Sequence, residues 1–120
     1  MHELSICIAL MQQLERVAQE QQAGSVIRVV LRIGPLSGVE APLLKHAWPL
    51  ASVGTLAEAA ELEIEATAVT VACTECHAVS EATPNRLLCA KCGDFRTRLV
   101  SGDELLLASV ELSDFKEQVA

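Results

Sequence analysis

The chain begins Met1-His2-Glu3. A histidine in second position lets the terminal amine, the His2 backbone nitrogen and the imidazole close fused chelate rings around one metal ion. Imidazole and amine nitrogens favour late first-row divalent ions, and a deprotonated backbone nitrogen in a tetragonal set points to Ni(II) or Cu(II). Histidine is too large a second residue for bacterial-type methionine removal, so Met1 is expected to remain. Any extension ahead of it would destroy the chelate. Three residues are a short signal, and His2 also reads as a terminal side chain without function.

The second constellation is sulfur. Cys73-Thr-Glu-Cys76 and Cys89-Ala-Lys-Cys92 are two C-x-x-C pairs separated by twelve residues. Each pair can place two thiolates on one ion from a tight knuckle, and two knuckles complete a tetrahedral zinc site with Zn–S near ~2.3 Å. Separate redox pairs or disulfides are the competing reading. Gly93 follows the second pair and supplies permissive backbone for such a turn. His77 holds that place after the first pair, so the first knuckle is expected to be less regular, or His77 to serve as an occasional ligand. Four sulfur ligands leave no open coordination position, which makes the site structural rather than catalytic. The fifth cysteine, Cys7, falls on an apolar helical face and reads as a buried core thiol.

Little else carries chemistry. His46 lies in a helical stretch beside Trp48 and reads as a structural or solvated histidine. Glu61, Glu63 and Glu65 share one strand face, most simply a solvated one. Glu40 opens a helix, where the dipole alone favours a carboxylate. There is no glycine-rich phosphate loop and no nucleophile–base set, so neither nucleotide hydrolysis nor any other enzyme activity is expected.

These groups must be held by a small framework. The 120 residues suffice for one domain, or for one domain with an inserted module. Hydrophobic residues make up 51% but aromatics only 2%, so the core must be built from Leu, Val, Ile and Ala. The net charge of −7 argues against nucleic acid or an anionic membrane as partner. No apolar run reaches the roughly 20 residues a bilayer span needs, and no signal peptide is visible, which points to the cytoplasm and to reduced cysteines.

Leu4 to about Gln22 has helical spacing, with Leu4, Cys7, Met11, Leu14 and Ala18 on one face and Ala23-Gly24-Ser25 as the stop. Val26 to Ile33 alternates as a strand, Ile27, Val29, Leu31 and Ile33 opposite Arg28 and Arg32. A second helix is predicted over about Glu40 to Ser52, with Leu43, Leu44, Ala47, Trp48 and Ala51 facing the core. Pro49 should kink it or end it early. Thr55 to Ala60 reads as a short turn, and Glu61 to Val71 as a strand with a bulge or a change of environment near Val69 and Val71. Glu104 to Leu112 is a final strand, able to pair with Glu61–Val71 as its neighbour. The fold class is α+β: a small mixed sheet covered by two helices, with a zinc-ribbon-like lobe inserted. Residues 1–71 and 101–120 are expected to form the α+β domain, and residues 72–100 the lobe.

The opening Met1-His2-Glu3-Leu4-Ser5, the stretch Ile33-Gly34-Pro35-Leu36-Ser37-Gly38-Val39-Glu40, and the two cysteine pairs followed by Gly102-Asp103-Glu104-Leu105 together resemble the HypA/HybF family. These are nickel metallochaperones of hydrogenase maturation, and the resemblance runs through essentially the whole chain. It implies a nickel site at the Met1 amine, His2 and adjacent backbone nitrogens. Glu3 would be an extra ligand or an orienting group, and Glu40 an acidic residue near it. It implies structural zinc on Cys73, Cys76, Cys89 and Cys92. It also implies work with a HypB-type GTPase and a hydrogenase large subunit, with a homodimer open. Two other readings compete: a zinc-ribbon module for protein or nucleic acid, which would want a basic aromatic face, and a zinc-thiolate redox sensor, which has no need of Met1-His2.

Overall fold

A computed structural model describes residues 2–113. Met1, whose amine belongs to the expected chelate, and residues 114–120, the end of the expected α+β domain, lie outside the described residues. The elements run α1 (His2–Glu20), β1 (Ser25–Ile33), α2 (Ala41–Ser52), β2 (Glu61–Ala66), β3 (Thr70–Cys73), β4 (Val79–Glu81), β5 (Thr97–Ser101) and β6 (Leu105–Ser113). The class is α+β, but the strands are shared between two three-stranded sheets, ordered β2-β1-β6 and β4-β3-β5. The segment expected as one strand over Glu61–Val71 is therefore two, β2 and β3, in different sheets. Nor are β2 and β6 neighbours, because β1 lies between them. The chain clusters into two compact units, one drawn from Met1–Leu31, Glu40–Ile64 and Leu107–Ala120, the other from Arg32–Val39 and Glu65–Leu106.

In the first unit α1 packs against α2. Cys7, Leu10, Met11, Leu14 and Ala18 are buried on α1, and Leu44 and Trp48 on α2. Leu14 and Leu44 are fully buried, and each such side chain contributes roughly 2 kcal/mol through burial. α1 starts two residues earlier than expected, at His2, and ends in a Schellman turn. Gln22 takes the left-handed conformation (φ 56°), while the Ala23 and Gln22 amides donate to the carbonyls of Ala18 (2.8 Å) and Gln19 (3.1 Å).

Two details of α2 have local causes. Leu43 is 46% exposed, because it stands about 100° round the helix from Leu44, which takes the fully buried position against α1. Pro49 lies inside α2 without ending it. Its missing N–H frees one carbonyl near the C-terminal turn, beside exposed Lys45, where water can serve it. In β1, Val29, Val30 and Leu31 are buried in succession while Ile27 is half exposed. Both faces of this middle strand are covered there, so simple alternation breaks down.

In the second unit β3 is central and antiparallel to both neighbours, pairing Ala72 with Val79 of β4 and Cys73 with Thr97 of β5. The register slips between Thr70 and Val71, where the apolar phase of the sequence changes. Beside it, two glycine backbones meet. A Cβ on Gly34 would lie 2.1 Å from the Gly102 carbonyl oxygen, and one on Gly102 (φ +120°) 2.8 Å from Val69 Cγ2. The contact is closed by Gly34 N–H donating to Glu104 O (2.8 Å) and Leu36 N–H to Gly102 O (2.7 Å). The Glu104 carboxylate accepts from Thr67 Oγ1 (2.8 Å) and from the Gly102 amide (2.9 Å).

Candidate metal centres

Two knuckles bring four sulfurs together. Cys73 ends β3, and the chain turns back so that Cys73 N–H donates to Ala78 O (2.9 Å) and His77 N–H to Cys73 O (3.1 Å). The second knuckle repeats this: Cys89 N–H to Asp94 O (3.0 Å), Gly93 N–H to Cys89 O (2.9 Å). His77 (φ 64°) and Gly93 (φ 78°) occupy the same left-handed position. The first knuckle is thus as regular as the second, with His77 accepting the backbone strain that glycine avoids. Its role there is conformational, for the clustered donors are the sulfurs of Cys73, Cys76, Cys89 and Cys92, all within 4.8 Å of one another.

The spacing suits a tetrahedral ion. Cys73 and Cys92 sulfurs are 3.6 Å apart, as are those of Cys76 and Cys89; a tetrahedron with Zn–S of ~2.3 Å has edges of about 3.8 Å. Amides already point at the sulfurs. Glu75 and Cys76 N–H donate to Cys73 Sγ, and Lys91 and Cys92 N–H to Cys89 Sγ, each at 3.4 Å. The amide of Cys92, with that of Lys91, holds the Cys89 thiol down at about 6 against burial. The amide of Cys76 likewise lowers Cys73. Cys92 goes the other way, to about 12: the Asp94 amide lowers it, but the Cys73 sulfur, burial and the remaining sulfurs prevail. Four thiolates this close cannot all ionise beside one another, and a divalent cation removes the conflict. The donor set therefore fits zinc. Asp94, drawn down to about 2 by its side-chain bond to Arg96, fixes the turn after Cys92 through contacts to Arg96 Nε (3.0 Å) and Nη2 (2.8 Å).

The other candidate centre is the first turn of α1. His2 is exposed, whereas Glu3 is only 7% exposed. Glu3 Oε2 accepts a long (3.4 Å) hydrogen bond from the Glu40 amide. Burial raises the Glu3 carboxyl, yet the amides of Glu3 and Glu40, with a smaller electrostatic influence from His2, outweigh it, so the group sits below the usual carboxylate range. Glu40 is the N-cap of α2 (φ −97°, ψ 115°), with no side-chain capping bond, and its carboxylate is exposed. Glu3 and Glu40, 37 positions apart in sequence, thus meet through carboxylate and backbone. Cys7, one turn on, is a core thiol: fully buried, its S–H directed at Leu44 O (3.7 Å), its pKa raised by burial and by Glu3.

Beside this turn runs a groove of about 240 Å³ lined by Glu3, Leu4, Leu43, His46, Ala47 and Leu50. The sequence gives no reason to associate His46 with the terminus; the only available signal is that helical spacing puts it on the same face as Leu43 and Leu50. Glu61, Glu63 and Glu65 of β2 are exposed, as expected, and two of them are paired: Glu63 with Arg28, and Glu65 with Arg32 at 3.2 Å. No helix among the described residues is long and apolar enough to cross a membrane.

Comparison with known proteins agrees with this geometry. Residues 1–112 match the HypA family model, described as hydrogenase/urease nickel incorporation, metallochaperone. The chain is 54% identical over 112 residues to hydrogenase maturation factor HypA of Nitrosospira multiformis, covering 93% of this chain and 97% of that one. Identity to the Aquifex aeolicus factor of the same name is 42% over equal shares. Among solved structures, the solution structure of the Ni metallochaperone HypA from Helicobacter pylori matches at TM-score 0.68 and 28% identity, over 92% of this chain and 96% of that one. A spacing-matched cysteine cluster, an acid-anchored first turn and a match over nearly the full length converge: the chain belongs to the HypA family of hydrogenase maturation nickel metallochaperones.

Proposed function

We propose that this chain binds Ni(II) reversibly at the Met1 amine, the His2 backbone nitrogen and the His2 imidazole, and delivers it for maturation of nickel-iron hydrogenase. The observation that carries the reading is that α1 begins at His2. The His2 amide is then one of the first four helical N–H groups, which have no intrahelical acceptor. It can lose its proton to nickel without breaking a helical hydrogen bond. A cation at a helix N-terminus opposes the helix dipole. Glu3 offsets this, with its negative charge held in the same turn by the Glu40 amide. Glu3 is therefore an orienting and charge-balancing group, and Glu40, whose amide binds Glu3, adds an exposed carboxylate.

Zinc on Cys73, Cys76, Cys89 and Cys92 is resident. It closes a lobe of residues 72–100 that serves for docking, and it takes no part in transport because it has no vacant position. The chain acts in the cytoplasm as a carrier rather than an enzyme. Its partners are a GTPase of the HypB type, which supplies the nucleotide chemistry this chain lacks a phosphate loop for, and the hydrogenase large subunit that receives the metal.

The test is Ni(II) titration of the untagged, zinc-loaded protein, followed by quenching of Trp48, the single tryptophan. One equivalent should bind to the wild type, with binding lost in His2→Ala and in a form extended ahead of Met1 while zinc is retained. Equal nickel binding by all three forms would remove the terminal site.

A further inference from the structure

The short sheet of the second unit has two unlike faces. Side chains alternate along each strand, and directly opposed residues share a face. Val71 and Cys73 of β3 are buried, and their opposite neighbours Ser80, Leu99 and Thr97 share that side. The loop carrying the second knuckle closes it: the Ala90 amide donates to Ser80 Oγ (3.0 Å), and Thr97 Oγ1 to Leu87 O (2.8 Å). The other face holds Ala72 between Val79 and Arg98, with Thr70 opposite Glu81 in the next row. Val100, the extra residue where the register slips, completes it on β5. Val79 is 64% and Val100 51% exposed, and Arg98 and Glu81 are exposed with them. Neither charged side chain has a hydrogen-bond or ion-pair partner among the described residues. They stand two strands and two residues apart, roughly 12 Å at ordinary sheet spacings, too far to pair with one another.

We propose that two copies of the chain associate through this face, stacked sheet on sheet about a two-fold axis along the diagonal from Val79 to Val100. The charge pattern carries the inference. Arg98 and Glu81 occupy opposite corners of the face, and the two valines the other corners. A two-fold along the valine diagonal exchanges the charged corners. Arg98 of each copy then meets Glu81 of the other, and each valine meets its own counterpart. Two ion pairs form while the valines of both copies leave water. A nucleic acid or an acidic protein would satisfy Arg98 but set like charge against Glu81. The face is small: three strands at ~4.8 Å and four residues at about 3.3 Å span roughly 14 by 13 Å. That is well under the ~800 Å² each partner gives a standard interface, so the association is weak and reversible. The net charge of −7 repels two copies at long range, but physiological salt screens this beyond ~8 Å while close pairs persist. The inference does not depend on the nickel site.

The test is analytical ultracentrifugation of the zinc-loaded full chain, from micromolar to millimolar concentration, for wild type, Arg98→Glu, Glu81→Arg and the double exchange. Both positions are exposed, and zinc content with circular dichroism checks that each variant is folded. Wild type should show a monomer–dimer equilibrium. Each single reversal sets like charges together at both contacts and should weaken dimerisation about ten-fold or more. The double exchange should restore it to near the wild-type level. Net charge cannot mimic this pattern, because Arg98→Glu makes the chain more negative and Glu81→Arg less so. Repulsion between whole molecules would therefore move the two single variants in opposite directions. A wild type that stays monomeric throughout overturns the inference. So does a dimer that all variants keep, which uses another surface, and so does a double exchange as weak as the single variants, which denies the contact between Arg98 and Glu81.

Discussion

Glu3 is a buried carboxylate that ties the first turn of α1 to the start of α2. Its carboxylate stays ionised in a buried place because amides of both helices donate to it, so its folded pKa lies below its unfolded one. The linkage sign follows: this stabilisation is fully present above the unfolded carboxylate pKa and is lost as pH falls through the folded value. Glu3→Gln should therefore lower the melting temperature at neutral pH, and the gap to wild type should shrink steadily below the ordinary carboxylate range. Parallel melting curves for the two proteins at every pH would show that the charge does not matter. The sequence offers Glu3 as ligand or orienting group without deciding between them. The decision needs the position of the Glu40 amide, which no local pattern reveals.

At the scale of elements, the segments Ile33–Glu40 and Gly102–Leu105 find their meaning in one another. Neither has catalytic chemistry. Their glycines let two backbones approach closer than any Cβ permits, and the carbonyls and amides so exposed pair across the gap. Gly34→Ala should cost on the order of 3 kcal/mol, since the clash is with backbone rather than a side chain that can move. Denaturant unfolding measures it directly, and a cost below about 1 kcal/mol would mean that the backbones separate easily. The same principle explains the divided strand. The glutamate alternation of β2 is written in sequence, but β3 begins a new sheet because Val69 and Val71 pack beside Gly102 and β5, partners contributed from about thirty residues away.

At the scale of the whole molecule, the two compact units depend on different cohesion. The first has helix packing around Leu14, Leu44 and Trp48. The second has two short sheet pairings around four sulfurs, with few large buried side chains; such a small apolar core depends on its staple. Chelation of zinc should abolish amide-exchange protection at Val71, Ala72 and Leu99 while Leu10, Met11 and Leu14 keep theirs. Loss of protection at both sets together would show a single cooperative unit.

The sequence by itself determined what depends on spacing along the chain: both helices and the two cysteine pairs that the structure brings into one cluster. These are local because 3.6-residue periodicity and a two-residue gap between cysteines fix their own geometry. Composition also determined that the core would be aliphatic. Only the tertiary structure decided which of Leu43 and Leu44 is buried, why Pro49 does not end α2, and how the strands divide between two sheets. It likewise put the Glu3 carboxylate under the Glu40 amide and His46 on the groove beside it. Each of these is a meeting of residues tens of positions apart, and such contacts are set by packing among whole elements rather than by any pattern within one of them.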